Sequence, residues 1–386
     1  MSETPGTRLP EAPTTLFQHA LRMHRQTPDR PHPGSVIPWR HWQRRRRGAG
    51  RQQPVESTIG GTAGTDGTGG TDRVDAAGVL DAYFGDTAAT PGELAEGLGA
   101  LPGWTCYKDN VGEAARRAPA PRAREAGRWL VRHGTETGPV AVGLALLAEA
   151  GTVEDIPRIQ TIGLISNDFG SLAVQALQRL PGGIGPLLWL ADRVTAWGRV
   201  EAVHTLCRQV DRHPAIRPWL LRRAADGDFL NSYFASHVAE VTGLHEVIAD
   251  YGDDAEVVDH TGQILVVMTY CEGMGASLRN HPHALALLEA HARHIGHLGP
   301  SVDRYFVAAT VAHYLTREIP AWSDDATLKA RWDGARRSYL ALADRADWCE
   351  TARAGVAAGI WRATVLADSV APELGLRAYR DDGPVM

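Results

Sequence analysis

The sequence predicts an all-α protein made of stacked helix pairs behind a basic, unstructured N-terminal tail. Three observations predict it. From residue 138 onward, apolar runs of 8–14 residues alternate with short breaks of Gly, Pro and Asp, and strand-like alternation is scarce. Four segments share one register. Residues 1–74 differ in texture from everything after them.

The tail comes first. Prolines recur at positions 5, 10, 13, 28, 31, 33, 38 and 54. Each removes a backbone donor and fixes φ, so regular elements cannot run through this density. One short segment, Thr15 to His24, keeps helical spacing with Leu16, Phe17, Ala20 and Leu21. Residues 57–71 are almost entirely Gly and Thr. Such a tract loses much backbone entropy on ordering and buries nothing, so it reads as a flexible linker.

A helical body follows over residues 75–386, read as one domain. Val79, Leu80, Tyr83 and Phe84 share a helix face. Thr90-Pro91-Gly92-Glu93 reads as an N-cap with Pro at the first helical position. The repeat is clearest over residues 138–250. Its leading alanines, Ala141, Ala173, Ala202 and Ala235, lie 32, 29 and 33 residues apart. Each segment ends at a breaker: Gly151, Pro181, Asp211 and Gly243. A second apolar pair follows, at Ile156/Ile159, Leu187/Leu190, Ile216/Leu220 and, sooner, Leu244/Val247. Helices of about ten residues are marginal alone, so stacking must stabilise them. Small Ala lets neighbours approach. A globular bundle with accidental spacing is the competing architecture. After residue 250 helices continue without clear register, and Gly299-Pro300 ends one of them.

The stretch Leu190-Ala-Asp192-Arg-Val-Thr-Ala-Trp-Gly-Arg199-Val200-Glu-Ala202-Val-His-Thr-Leu206 resembles the HEAT-repeat pattern. It has Leu, an inter-helix Asp, then Arg-Val, Ala and Leu. Gly151-Thr-Val-Glu-Asp155-Ile-Pro resembles the break between two such helices. The resemblance covers residues 138–250. It implies a right-handed α-solenoid of the HEAT/armadillo kind and a protein-binding scaffold.

Charge and composition bound the function. The chain has 386 residues and a net charge of −5. Residues 1–74 carry eleven Arg and six acids, and the rest carries 29 basic and 39 acidic residues. A basic tail thus precedes an acidic body. No uncharged run exceeds twelve residues, too short for a membrane-spanning helix. Only Lys108 and Lys329 are lysines, which reflects GC-rich coding. Cys106, Cys207, Cys271 and Cys349 lack zinc spacing and read as reduced core thiols. No apolar leader follows Met1, so a cytoplasmic location is expected.

Several residue groups are candidate sites. His291, His294 and His297 lie at i, i+3 and i+6, with His281 and His283 nearby. No carboxylate completes a metal set, and a solvated helix face is expected. Asn167-Asp168…Ser171…Gln175 superficially resembles a terpene-cyclase metal triad. Its last position is Gln, and Asp253-Asp254 follows rather than precedes it, so a turn with Ser171 capping the next helix is expected. Gly182 to Gly185 is a lone glycine cluster at a break. Arg217-Pro-Trp219-Leu-Leu-Arg222-Arg223 reads as amphipathic helix, with Arg223 as an exposed interface anchor. The run Arg44, Arg45, Arg46, Arg47, preceded by Trp39 and Trp42, could grip phosphates and stack on bases. The body at −10 argues against a nucleic-acid-gripping concave face.

The reading is therefore a non-enzymatic protein-interaction scaffold with a protein partner. It needs no metal or cofactor. Nucleic-acid association through Arg44–Arg47 is the second reading. An enzyme on a helical scaffold is the third, with no residue set to support it.

Overall fold

A computed structural model describes residues 14–32, 75–102, 106, 109–250, 254–271, 273–322 and 326–380. Among them every regular element is helical and no strand occurs. The Arg44–Arg47 run lies outside the described residues. The chain's contacts gather into two compact units, one through Ala202 and one from Val203.

The first unit contains α1 (Leu16–Gln26), α2 (Ala76–Gly85), α3 (Pro91–Gly99), α4 (Asp109–Arg117), α5 (Ala120–His133), α6 (Thr137–Ala150), α7 (Ile156–Gly163), α8 (Ser171–Arg179) and α9 (Gly185–Ala191). The caps follow the sequence. Thr15 and Gln18 form a capping box at α1, and Thr90 and Glu93 form one at α3 with Pro91 just inside. Two rows of neighbours emerge. In one, α2 meets α4, α4 meets α6 and α6 meets α8; in the other, α3 meets α5, α5 meets α7 and α7 meets α9. Helix α6 sits where the rows are densest. Ten of its 14 residues are buried, because it is apolar all round.

Buried Asp155 ties α5 to α7. Its carboxylate accepts from Arg128 Nε at 2.6 Å and Nη2 at 3.1 Å, from Arg158 Nη1 at 2.8 Å and from the Thr152 backbone N–H at 3.0 Å. Burial alone would push this carboxyl up. The bonds from Arg128 and Thr152 outweigh that and hold it below the usual carboxylate range.

Glycine permits a close approach of two backbone segments. A Cβ on Gly170 would lie 2.6 Å from Gly198 Cα, and one on Gly198 would lie 2.8 Å from the Ser166 carbonyl oxygen. Both obstacles are backbone and cannot rotate away. Gly170→Ala is expected to lower the unfolding free energy by about 2 kcal/mol in urea titrations. In Gly334→Ala the new Cβ meets open space, so that helix gains about 0.5–1 kcal/mol.

Helix α10 (Ala196–Gln209) spans the boundary between the units. The second unit then contains α11 (Ile216–Arg223), α12 (Ala235–Val241), α13 (Leu244–Asp250), α14 (Ala255–Met268), α15 (Ala284–Leu298), α16 (Val302–Trp322), α17 (Ala326–Ala343), α18 (Ala346–Ala357), α19 (Trp361–Val365) and α20 (Ala371–Leu374). Two rows recur. Helices α11 and α12 meet α14, α14 meets α16 and α16 meets α18; beside them α13 meets α15 and α15 meets α17. Helix α14 matches α6, with ten of 14 residues buried. Pairwise stacking thus continues past residue 250, where the sequence register is lost.

The four leading alanines fall on α6, α8, α10 and α12, each no more than 1% exposed. Their second apolar pairs fall on α7, α9, α11 and α13. Both parts of each repeated segment thus fall on helices.

Candidate interaction surface

The histidine group does not form the solvated face expected of it. His291 and His294 are buried, and only His297 of the three is exposed. The face points inward because Leu287, Leu288 and Ile295 share it. His291 Nδ1 lies 2.9 Å from the Tyr339 hydroxyl, and His294 Nε2 donates to the Ile248 carbonyl at 2.8 Å. Complete burial pushes the His291 imidazole down to about 3, with His294 and Arg304 acting in the same direction. His281 is buried as well, while the exposed His283 ring stacks on His245 at 3.5 Å. Among the described residues, no three His, Cys, Asp or Glu are placed to hold a metal ion.

The other sequence motifs resolve into structural roles. Ser166 to Gly170 forms a π-helical turn before α8. Ser171 does not cap that helix; its hydroxyl donates to the Trp197 carbonyl at 3.2 Å. Gly182 and Gly183 make the break before α9, with φ at +67° for Gly183. On α11, Trp219 and Leu220 are buried, Arg222 pairs with Asp254 at 2.6 Å, and Arg223 is exposed. All four cysteines are buried and unbridged. Burial pushes the Cys207 thiol up to about 12, so it is not a nucleophile at neutral pH.

Two grooves lie in the second unit, of about 340 and 240 Å³, and share Arg279 and Asn280. The larger is walled by Leu285, Leu328 and Trp332. The smaller is lined by Ser277, Tyr314 and Glu318.

A feature the sequence reading missed is an exposed aromatic patch on the second unit. Phe229 is 59% exposed and Trp361 is 68% exposed. Large aromatic side chains this open to water mark interaction surfaces when they cluster. The backbone holds both outward. Phe229 opens the 3-10 helix Phe229–Tyr233, and the turn before it is stapled by buried Asn231, whose Oδ1 accepts from the backbone of Asp226 at 2.8 Å and Gly227 at 3.2 Å. Asn231 Nδ2 returns a bond to Asp226 Oδ1 at 2.9 Å. Gly227 takes φ +85°, a conformation that favours glycine.

Trp361 follows the stop of α18. Gly359, at φ +67°, donates to the Val356 carbonyl, and Ile360 donates to the Gly355 carbonyl. That Schellman geometry turns the chain outward at Ile360 and Trp361. The ring of Phe229 stacks parallel to Tyr270, with centroids 6.4 Å apart. Arg362 joins the two halves. It pairs with Asp303 at 2.7 Å, lies over Phe306 at 5.3 Å, and would sit 3.3 Å from a Cβ on Gly227.

No known family, curated protein or solved structure matches this chain.

Proposed function

We propose that this protein is a non-enzymatic interaction scaffold that binds a protein partner through the aromatic patch of its second unit. The observation that carries this is the patch itself: Phe229, Tyr270 and Trp361 held open to water on braced backbone beside Arg362. Trp, Tyr and Arg are the residues that dominate binding at protein interfaces. Their pre-set geometry lowers the ordering cost of association. The two rows of helices in each unit support an α-solenoid of HEAT-like pairs as the framework that presents the patch. Among the described residues, no helix is long and apolar enough to cross a membrane.

The test is affinity capture with quantitative mass spectrometry, comparing the wild-type chain with a Phe229→Ser, Trp361→Ser double variant. The expected result is at least one protein depleted about tenfold or more by the variant. Both side chains are largely in water, so stability should change by less than about 0.5 kcal/mol each. Equal capture by both chains would refute the patch. The alternative, nucleic-acid association through Arg44–Arg47, is separated by a salt series. Phosphate contacts weaken steeply between about 50 and 200 mM salt, whereas an aromatic interface does not.

A further inference from the structure

Helix α1 breaks the order of neighbours in its unit. The other helices find their main partners within three positions along the chain. Helix α1 packs on α5 and α7, which lie side by side in one row. It lays down Leu16, Phe17, Ala20 and Met23, a single apolar face. The Leu16 N–H donates to the Gly134 carbonyl at 3.0 Å. The Arg132 guanidinium lies over the Phe17 ring at 4.7 Å. At the other end the His24 ring meets Trp189 edge-on at 5.4 Å, and Arg193 reaches the Pro28 carbonyl at 2.7 Å and Asp29 at 3.5 Å. Helix α1 therefore shows what this groove accepts: an amphipathic helix with a bulky apolar start.

Two observations show that α1 is an imperfect occupant. His19 Nε2 and His24 Nδ1 are buried without a hydrogen-bond partner, and orphaned polar atoms weaken a contact. The helix also carries no acidic residue. It brings His19, Arg22, His24 and Arg25 to a groove whose contacts at either end are Arg132 and Arg193. Arg193 is met there by Asp29, beyond the end of the helix, whereas Arg132 lies over the Phe17 ring and the helix itself offers neither arginine a carboxylate. Residues 27–75 separate α1 from α2, so α1 can leave without unfolding a sequence neighbour.

We infer that the groove of α5 and α7, flanked by Arg132 and Arg193, is a receptor site for an acidic amphipathic helix of another protein, with α1 as its exchangeable occupant in cis. A helix with the same apolar spacing and carboxylates on its flanks supplies the charge that α1 lacks. This site uses residues of the first unit only and the aromatic patch residues of the second only, so either can fail without the other.

The test uses the full chain, the Phe17→Asp full chain, and two fluorescent peptides. One peptide has the sequence of residues 14–32; the other has Arg22→Glu and Arg25→Glu. By fluorescence anisotropy, the Phe17→Asp chain should bind the acidic peptide about tenfold or more tightly than the wild-type chain does, because its own α1 no longer fills the groove. Arg193→Ala in that background should weaken binding about tenfold, and the acidic peptide should outbind the basic one at low salt. No binding to the Phe17→Asp chain at about 100 μM peptide, or equal affinity for both chains, would overturn the inference. Hydrogen exchange on the wild-type chain decides the matter even if Phe17→Asp does not fold. Amides of α1 should exchange about 100-fold faster than those of α6. Equal protection would make α1 a fixed part of the core and end the proposal.

Discussion

Lowering the pH from 7 to 4 should destabilise the unit that begins at Val203 by about 3 kcal/mol through His291 alone. The imidazole is fully buried against Tyr339 and is pushed down to about 3, from an unfolded value of 6.5. The folded state therefore refuses a proton that the unfolded state accepts. Stability from this group is intact above pH 6.5 and is lost as pH falls from 6.5 toward 3. His281, also held low by burial, acts in the same direction. His291→Gln removes the titration but keeps a polar group near the Tyr339 hydroxyl. Urea unfolding of this variant, followed by hydrogen exchange on α14 and α15 amides, should show a lower stability at pH 7 and a flatter decline toward pH 4. An unchanged slope would mean that His291 is not the group that titrates.

The first unit should fail in acid for a different reason, and later. Asp155 is completely buried and depends on its charge to hold Arg128, Arg158 and the Thr152 N–H. Its folded value lies below the ordinary carboxylate range. Its contribution is thus fully present above about pH 4, the unfolded value, and disappears as pH falls below that. Asp155→Asn should cost about 2–3 kcal/mol at pH 7. This is less than the loss for a fully buried ion pair, because the Arg128 and Arg158 side chains are 34% and 30% exposed and rehydrate. The variant should also lose the steepest part of the acid transition in the exchange of α5 and α7 amides. The two windows, one opening near pH 6.5 and one near pH 4, distinguish the units in a single titration.

Much of the helical framework was legible because it depends on local chemistry. The Thr90-Pro91-Gly92-Glu93 cap and the four leading alanines are short-range signals, and each lands where the spacing put it. The amphipathic segment at Thr15 was legible as a helix, but its seat on α5 and α7 was not. Nothing in a short pattern says which distant surface it covers. The division at Ala202 was hidden for a similar reason. It falls inside α10, with no Gly, Pro or Ser tract to mark it.

The histidine face was misread because spacing gives a direction without its destination. Only the packing of α15 against α13 and α17 shows that His291 and His294 point inward. The aromatic patch escaped for the opposite reason. Phe229, Tyr270 and Trp361 are scattered over more than 130 residues of sequence, and each alone looks like ordinary core. A usable hint was Asp226-Gly227-Asp228 just before Phe229, a turn sequence that lifts the next side chain out of the fold. The stop at Gly359 before Trp361 was another.

The measurement that bears most directly on the interaction reading is site-specific photo-crosslinking. A benzophenone amino acid is placed at Phe229, at Trp361 or at the control position Val153, which is 52% exposed in the first unit. The chain is irradiated in its native host, and adducts are identified by mass. One and the same protein should be crosslinked from Phe229 and Trp361 and absent from Val153. No adduct at either aromatic position, or the same adducts at all three, would contradict the interaction reading.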